Sequence, residues 1–121
     1  MKKHSQFQYG AIIKRPLDPP LGIIYSHMGI YAGSGKVIHF DSPGSAGKGE
    51  GSRVVRSSLA AFSAGRDIRL HASPASKSHA KAIVAEAERL RRTRKNGFND
   101  SYDLFFRNCE SFTTHCYEVS Y

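Results

Sequence analysis

One cysteine, Cys109, follows the run Leu104-Phe-Phe-Arg-Asn108, and the pattern predicts a helix beginning at Asn108 or Cys109. Far upstream stand two histidines, His27 in Ser-His-Met-Gly-Ile-Tyr and His39 in Lys-Val-Ile-His-Phe. A thiol and two imidazoles are the parts of a thiolate nucleophile with a base and an orienting group. A free thiol has a pKa of about 8.5 and is mostly protonated at neutral pH, so the thiolate has to be favoured. A helix start supplies partial positive charge, and an imidazole within hydrogen-bond reach completes a thiolate–imidazolium pair. His27 is the choice for that base. His39, one strand away, would hold the ring of His27 and fix its tautomer. The backbone N–H of Cys109 is a ready donor to an oxyanion, and the side chain of Asn108 could assist.

Composition and spacing alone leave other readings open. A lone cysteine in an apolar setting is usually a small buried hydrophobe. A histidine on a strand is more often a satisfied core or surface residue than a base. Two histidines and a cysteine could hold zinc, but no close-spaced pair such as Cys-x-x-Cys or His-Glu-x-x-His supports that reading.

The elements that must position these residues follow from the patterning. Residues 9–14 read as a strand, ended by Arg15-Pro-Leu-Asp-Pro-Pro20. Residues 21–32 and 36–40 read as two strands joined by the hairpin turn Gly33-Ser-Gly-Lys36. His27 and His39 then fall on neighbouring strands, with the register left open. The glycine-rich stretch 41–52 reads as a loop; loops so placed often gate a site and as often are just tolerated length. Residues 53–56 suggest a short strand, and Ser57 or Ser58 caps a brief helix over 59–64 stopped by Gly65. A further strand is expected over 67–71. The clearest helix runs over 77–95, where Ala80, Ile83, Val84, Ala87 and Leu90 recur at helical spacing, with Gly97 as its stop.

At 121 residues, 40% hydrophobic and 23% charged, the chain reads as a single domain, 1–121, able to build a packed core. No apolar run approaches the roughly 20 residues that span a bilayer. Met-Lys-Lys-His-Ser-Gln at the start has no apolar stretch behind it, so no secretory signal is read and the expected location is cytoplasmic, or outside the cell by a route that leaves no such mark. Cys109 and Cys116, about 10 Å apart along one helix, are too far apart for a disulfide. The net charge of +8 favours anionic surfaces, and its densest cluster is Arg89-Leu-Arg-Arg-Thr-Arg-Lys95. Solubility and the negative end of a helix dipole account for such a cluster as well as an anionic membrane does. Nothing resembling a nucleic-acid-binding module accompanies it.

The segments Tyr9-Gly10, His27-Met-Gly-Ile-Tyr-Ala-Gly33, Gly35-Lys-Val-Ile-His-Phe40 and Leu104-Phe-Phe-Arg-Asn-Cys-Glu-Ser-Phe112 together resemble the lecithin:retinol acyltransferase family. That family includes the H-rev-type phospholipase A/acyltransferases, within the wider NlpC/P60 superfamily. The resemblance covers most of the chain, in the right order. It implies an α+β, papain-like fold in permuted order, with an antiparallel sheet packed against helices. It implies Cys109 as nucleophile, His27 as base and His39 as third member, with no metal or organic cofactor. The substrate it implies is a phospholipid or other acyl ester, whose acyl group passes through a thioester to water, an amine or an alcohol.

The chain departs from the family pattern in places. Ser111 stands where members often carry histidine. The proline-bearing segment before His27 is longer than in the animal enzymes, and an arginine sometimes found shortly before the first histidine has no clear counterpart, although Arg15 could reach the site. No hydrophobic tail of the kind that anchors several animal relatives is seen, so membrane action is expected to be peripheral, with Arg89–Lys95 as the candidate contact. Two rivals remain: a cysteine amidase or peptidase on the same scaffold, and a non-enzymatic binding protein that keeps the fold. His4, His71, His79 and His115 are expected to be surface or structural, with His115 able to reach the mouth of a site. Cys116 is expected to pack in the core.

Overall fold

The computed structural model of the chain describes residues 7–16, 26–41, 53–93 and 109–119, with Asp41 and Cys109 described by their backbone. Five strands form one antiparallel sheet: β1 (Ile12–Pro16), β2 (Ser26–Tyr31), β3 (Lys36–Asp41), β4 (Arg53–Ser58) and β5 (Arg69–Ala72), in the order β4-β3-β2-β1-β5. Three helices accompany it: α1 (Leu59–Ser63), α2 (Lys77–Arg92) and α3 (Cys109–Val119). The architecture is α+β, as the family resemblance implies.

Consecutive apolar residues on the central strands are divided between two cores, because successive side chains point to opposite faces. Ile12, Ile30, Ile38 and Phe40 pack under Ile83, Val84, Ala87 and Leu90 of α2 and Phe112 and Cys116 of α3. Ile13, Tyr31 and Val37 face the other way, against Leu59 and Phe62 of α1. Burial on both faces explains why these strands show no polar alternation.

The hairpin between β2 and β3 closes as the turn residues require. Gly33, Ser34 and Gly35 all take positive φ (83°, 52° and 72°), and Ala32 N–H donates to Lys36 O at 2.8 Å. β1 starts later than its pattern suggests and runs on through Arg15-Pro16. The shift arises at Gly10, whose φ of +85° makes a turn; a Cβ there would lie 2.8 Å from the Ala80 backbone of α2. Pro16 is tolerated at the strand end because pairing with β5 stops at Lys14. α1 is capped by Ser58, whose hydroxyl accepts from Ala61 N–H at 3.1 Å. Ser76 caps α2 in the same way, accepting from His79 N–H at 3.0 Å. α2 ends at Arg92, since Thr93 is extended and donates its hydroxyl to Arg89 O at 2.6 Å. The proposed stop at Gly97 lies outside the described residues, as do Arg94, Lys95, most of the 41–52 loop and the residues of 17–25.

Two histidines and part of the basic cluster outside the site are tied into the scaffold. His79 is buried; its Nδ1 accepts from Ala75 N–H at 2.8 Å and its Nε2 lies 3.0 Å from Tyr117 O, tying α2 to α3. His115 turns to α2, 2.7 Å from Glu86, rather than to the mouth of a site. Cys116 is fully buried and free, and burial pushes its thiol pKa up, so it packs as a small hydrophobe. Within the basic cluster, Arg89 grips Glu86 through two hydrogen bonds, 2.9 and 2.7 Å, and Arg91 meets Glu88 at 2.6 Å. Among the described residues no helix is long and apolar enough to cross a membrane.

Candidate active site

His27 and His39 are brought together by strand register. Gly29 of β2 faces His39 of β3, so His27 and His39 are diagonal neighbours on one face of the sheet. The absent side chain at Gly29 lets the rings meet across it. Nε2 of His27 lies 2.9 Å from Nδ1 of His39, and the rings meet edge to face at 4.9 Å. Both histidines are buried.

Phe62 of α1 covers the pair. Its ring stacks on His27 at 5.2 Å and meets His39 edge-on at 5.3 Å. Arg15 of β1, directly opposite His27, donates Nε–H to Phe62 O at 2.7 Å. Arg15 therefore does reach the site. It braces the aromatic lid and adds positive charge beside the imidazoles.

The electrostatics follow from this burial. Loss of water holds the His27 pKa well below its ordinary value, helped by His39 and Arg15. Burial, and then Arg15, bring His39 down to about 4. Both rings are neutral at pH 7. A neutral imidazole takes protons, which is the state a base for a thiol requires.

One partner of the pair escaped the sequence reading. Ser57 of β4 has its hydroxyl 2.9 Å from Nε2 of His39. Sequence reasoning considered Ser57 only as an alternative cap for α1, a role taken by Ser58. No local signal could have found it, because the β3–β4 register places Ser57 opposite Val37, beside His39. The contact is set by sheet pairing across the intervening loop.

Cys109 is the first residue of α3, where the sequence places it. The position of its side chain and the whole of Asn108 lie outside the description. The path of α3 is clear. Phe112, one turn in, meets Phe40 at 6.4 Å, and Thr113 Oγ1, which donates to Glu110 O at 3.0 Å, lies 3.7 Å from Met28 Sδ. Further along, the Tyr117 hydroxyl donates to Ser73 O at 2.8 Å, beyond β5. The helix thus enters over the ends of β2 and β3 that carry the histidines. Its body lies on the opposite face of the sheet, since Met28 and Phe40 alternate with His27 and His39.

Gly29 can be tested directly. A Cβ there would lie 2.6 Å from Val37 Cγ1, 2.9 Å from Phe62 Cε1 and 3.2 Å from His39 Cβ. Gly29→Ala should lower the melting temperature by about 5–10 °C through overpacking. It should also disturb the aromatic lid. A thermal melt unchanged from wild type would show that the site has slack that this packing does not suggest.

No curated protein sequence matches the chain. The family model described as lecithin retinol acyltransferase matches residues 5–120. That match spans nearly all of the 121 residues, and the antiparallel sheet with its packed helices agrees with it. The family points to an acyltransferase- or phospholipase-type enzyme. The chain belongs to the lecithin retinol acyltransferase family.

Proposed function

We propose that this protein is a cysteine-dependent acyl-transfer enzyme that removes an acyl group from a phospholipid or similar ester through a thioester on Cys109. The observation that carries the reading is the buried, neutral His27–His39 pair, hydrogen-bonded at 2.9 Å beneath Phe62. Burying two imidazoles side by side takes both out of water and disfavours their charge. As a base with its orienting group they have a chemical purpose.

In the proposed cycle His27 takes the proton of the Cys109 thiol, and the thiolate attacks the ester carbonyl carbon. The tetrahedral oxyanion is held by the Cys109 backbone N–H at the start of α3 and by Asn108. Collapse breaks the ester C–O bond, and the leaving alcohol, a lysolipid, carries away the proton from His27. Water, or an acceptor amine or alcohol, then gives a proton to His27 and attacks the thioester. The acyl product leaves and the proton returns to the sulfur. His39 holds the ring of His27 throughout. Contact with an anionic bilayer would use Arg89–Lys95, chiefly residues beyond the already paired Arg89 and Arg91.

The test is incubation of the pure protein with mixed phospholipid vesicles, reading intact protein mass and released lipid, with Cys109→Ala alongside. An acyl adduct on the protein, or fatty acid and lysolipid, seen only with Cys109 present supports the proposal. Identical lipid profiles for the two proteins would overturn it and make peptide or amide substrates the next assay.

A further inference from the structure

The hydrogen-bonded line His27–His39–Ser57 crosses β2, β3 and β4 on one diagonal, and its two ends are unlike. At one end, the Ser57 hydroxyl lies 2.9 Å from His39 Nε2 and 3.4 Å from the backbone carbonyl of Ser58. His39 Nε2 can donate to the Ser57 oxygen or accept its proton; the Ser58 carbonyl only accepts, so with the Ser57 O–H turned to Ser58 an oxygen lone pair is left for His39. His39 then carries its proton on Nε2 and presents a bare Nδ1. His27, facing that bare nitrogen, must donate from its own Nε2, because a neutral imidazole has one N–H and one lone pair. The nitrogen left with a lone pair is Nδ1 of His27. Reversing any one bond reverses all of them: a Ser57 hydroxyl donating to His39 would put a proton on His27 Nδ1 and leave His27 no lone pair for a thiol.

We infer that Ser57 is a positioning residue of this site, whose hydroxyl sets the tautomer of His39 and, through it, leaves His27 Nδ1 bare to accept the thiol proton. This deepens the proposed acyl transfer and rests on it for its functional meaning. The arrangement of protons itself does not depend on that reading. Ser57 is only partly buried and is not needed to cap α1, so its removal leaves the scaffold intact.

The test has two arms. Long-range proton–nitrogen NMR of the histidine rings at pH 7.5 should show Nε2 protonated and Nδ1 bare in both His27 and His39. Ser57→Ala should change that pattern at His39 and His27 together, and Ser57→Thr, which keeps the hydroxyl, should restore it. Vesicle kinetics should show kcat falling about tenfold to a hundredfold in Ser57→Ala with KM unchanged, and recovering in Ser57→Thr, as losses of supporting hydrogen bonds commonly do. A protonated Nδ1 at His39 in wild type, or ring signals unmoved by Ser57→Ala, would overturn the inference. Lipid turnover that persists in Cys109→Ala would instead overturn the acyl-transfer reading, leaving the NMR result to stand or fall alone.

Discussion

His27→Gln should lower kcat for lipid turnover by at least about a thousandfold, and the double variant His27→Gln, Cys109→Ala should be no slower than Cys109→Ala alone. A positioned general base is worth about 10²–10⁴-fold, and in the proposed cycle the same ring both takes the thiol proton and returns it to the leaving alcohol. Without it the thiol at the start of α3 keeps only the helix dipole to favour its anion. Residues that act as one unit give effects far from additive, since losing either stops the same step. The melting temperature must be measured beside the rates, because His27 is buried and stacked on Phe62. A folded His27→Gln protein with wild-type kcat would remove His27 from the mechanism. Additive losses in the double variant would show that the two residues serve separate steps.

The second large effect is on stability and needs no substrate. An unfolded histidine binds its proton near pH 6.5, whereas folded His39 does so only near 4, because burial and Arg15 oppose its charge. Between those values the unfolded chain holds more protons, so stability rises with pH. The contribution of His39 is complete above pH 6.5, falls as the pH drops, and is gone below about 4. Its size is on the order of 3 kcal/mol, a large part of the 5–15 kcal/mol typical of a domain. His27 adds in the same direction. Glu86 titrates lower: its hydrogen bond to Arg89, with help from His115, holds the carboxyl at about 2 against an ordinary 4.5. Its contribution is intact above pH 4.5 and is lost only as the pH falls towards 2, so pH 4.5–6.5 reports mainly on the histidines. Urea unfolding across that window should show a steep loss in wild type, with a shallower slope in His39→Gln by up to about 1.4 kcal/mol per pH unit. Equal slopes would mean that His39 is protonated alike in both states.

What could be read from the chain and what could not divide along a physical line. Elements were legible wherever the signal is local. The spacing of Ala80, Ile83, Val84, Ala87 and Leu90 marks α2, and the glycines of 33–35 mark the hairpin. Cys109 opens α3 as its setting suggests. Element ends were less legible, because they turn on contacts such as Gly10 against Ala80 or the side-chain bond of Thr93 to Arg89 O. The types of His27, His39 and Cys109 suggested one chemistry among several, and the family resemblance singled them out.

By itself, then, the sequence determined the strands, the helices and the family, and it named the candidate reactive side chains, since these rest on residue type and short-range spacing. Only the tertiary structure decided that Gly29 sits opposite His39, that Phe62 roofs both rings, that Arg15 stands beside them and that Ser57 ends the line. Register and face are properties of pairs of strands. A shift of one residue in a strand would turn its histidine, arginine or serine to the other side of the sheet.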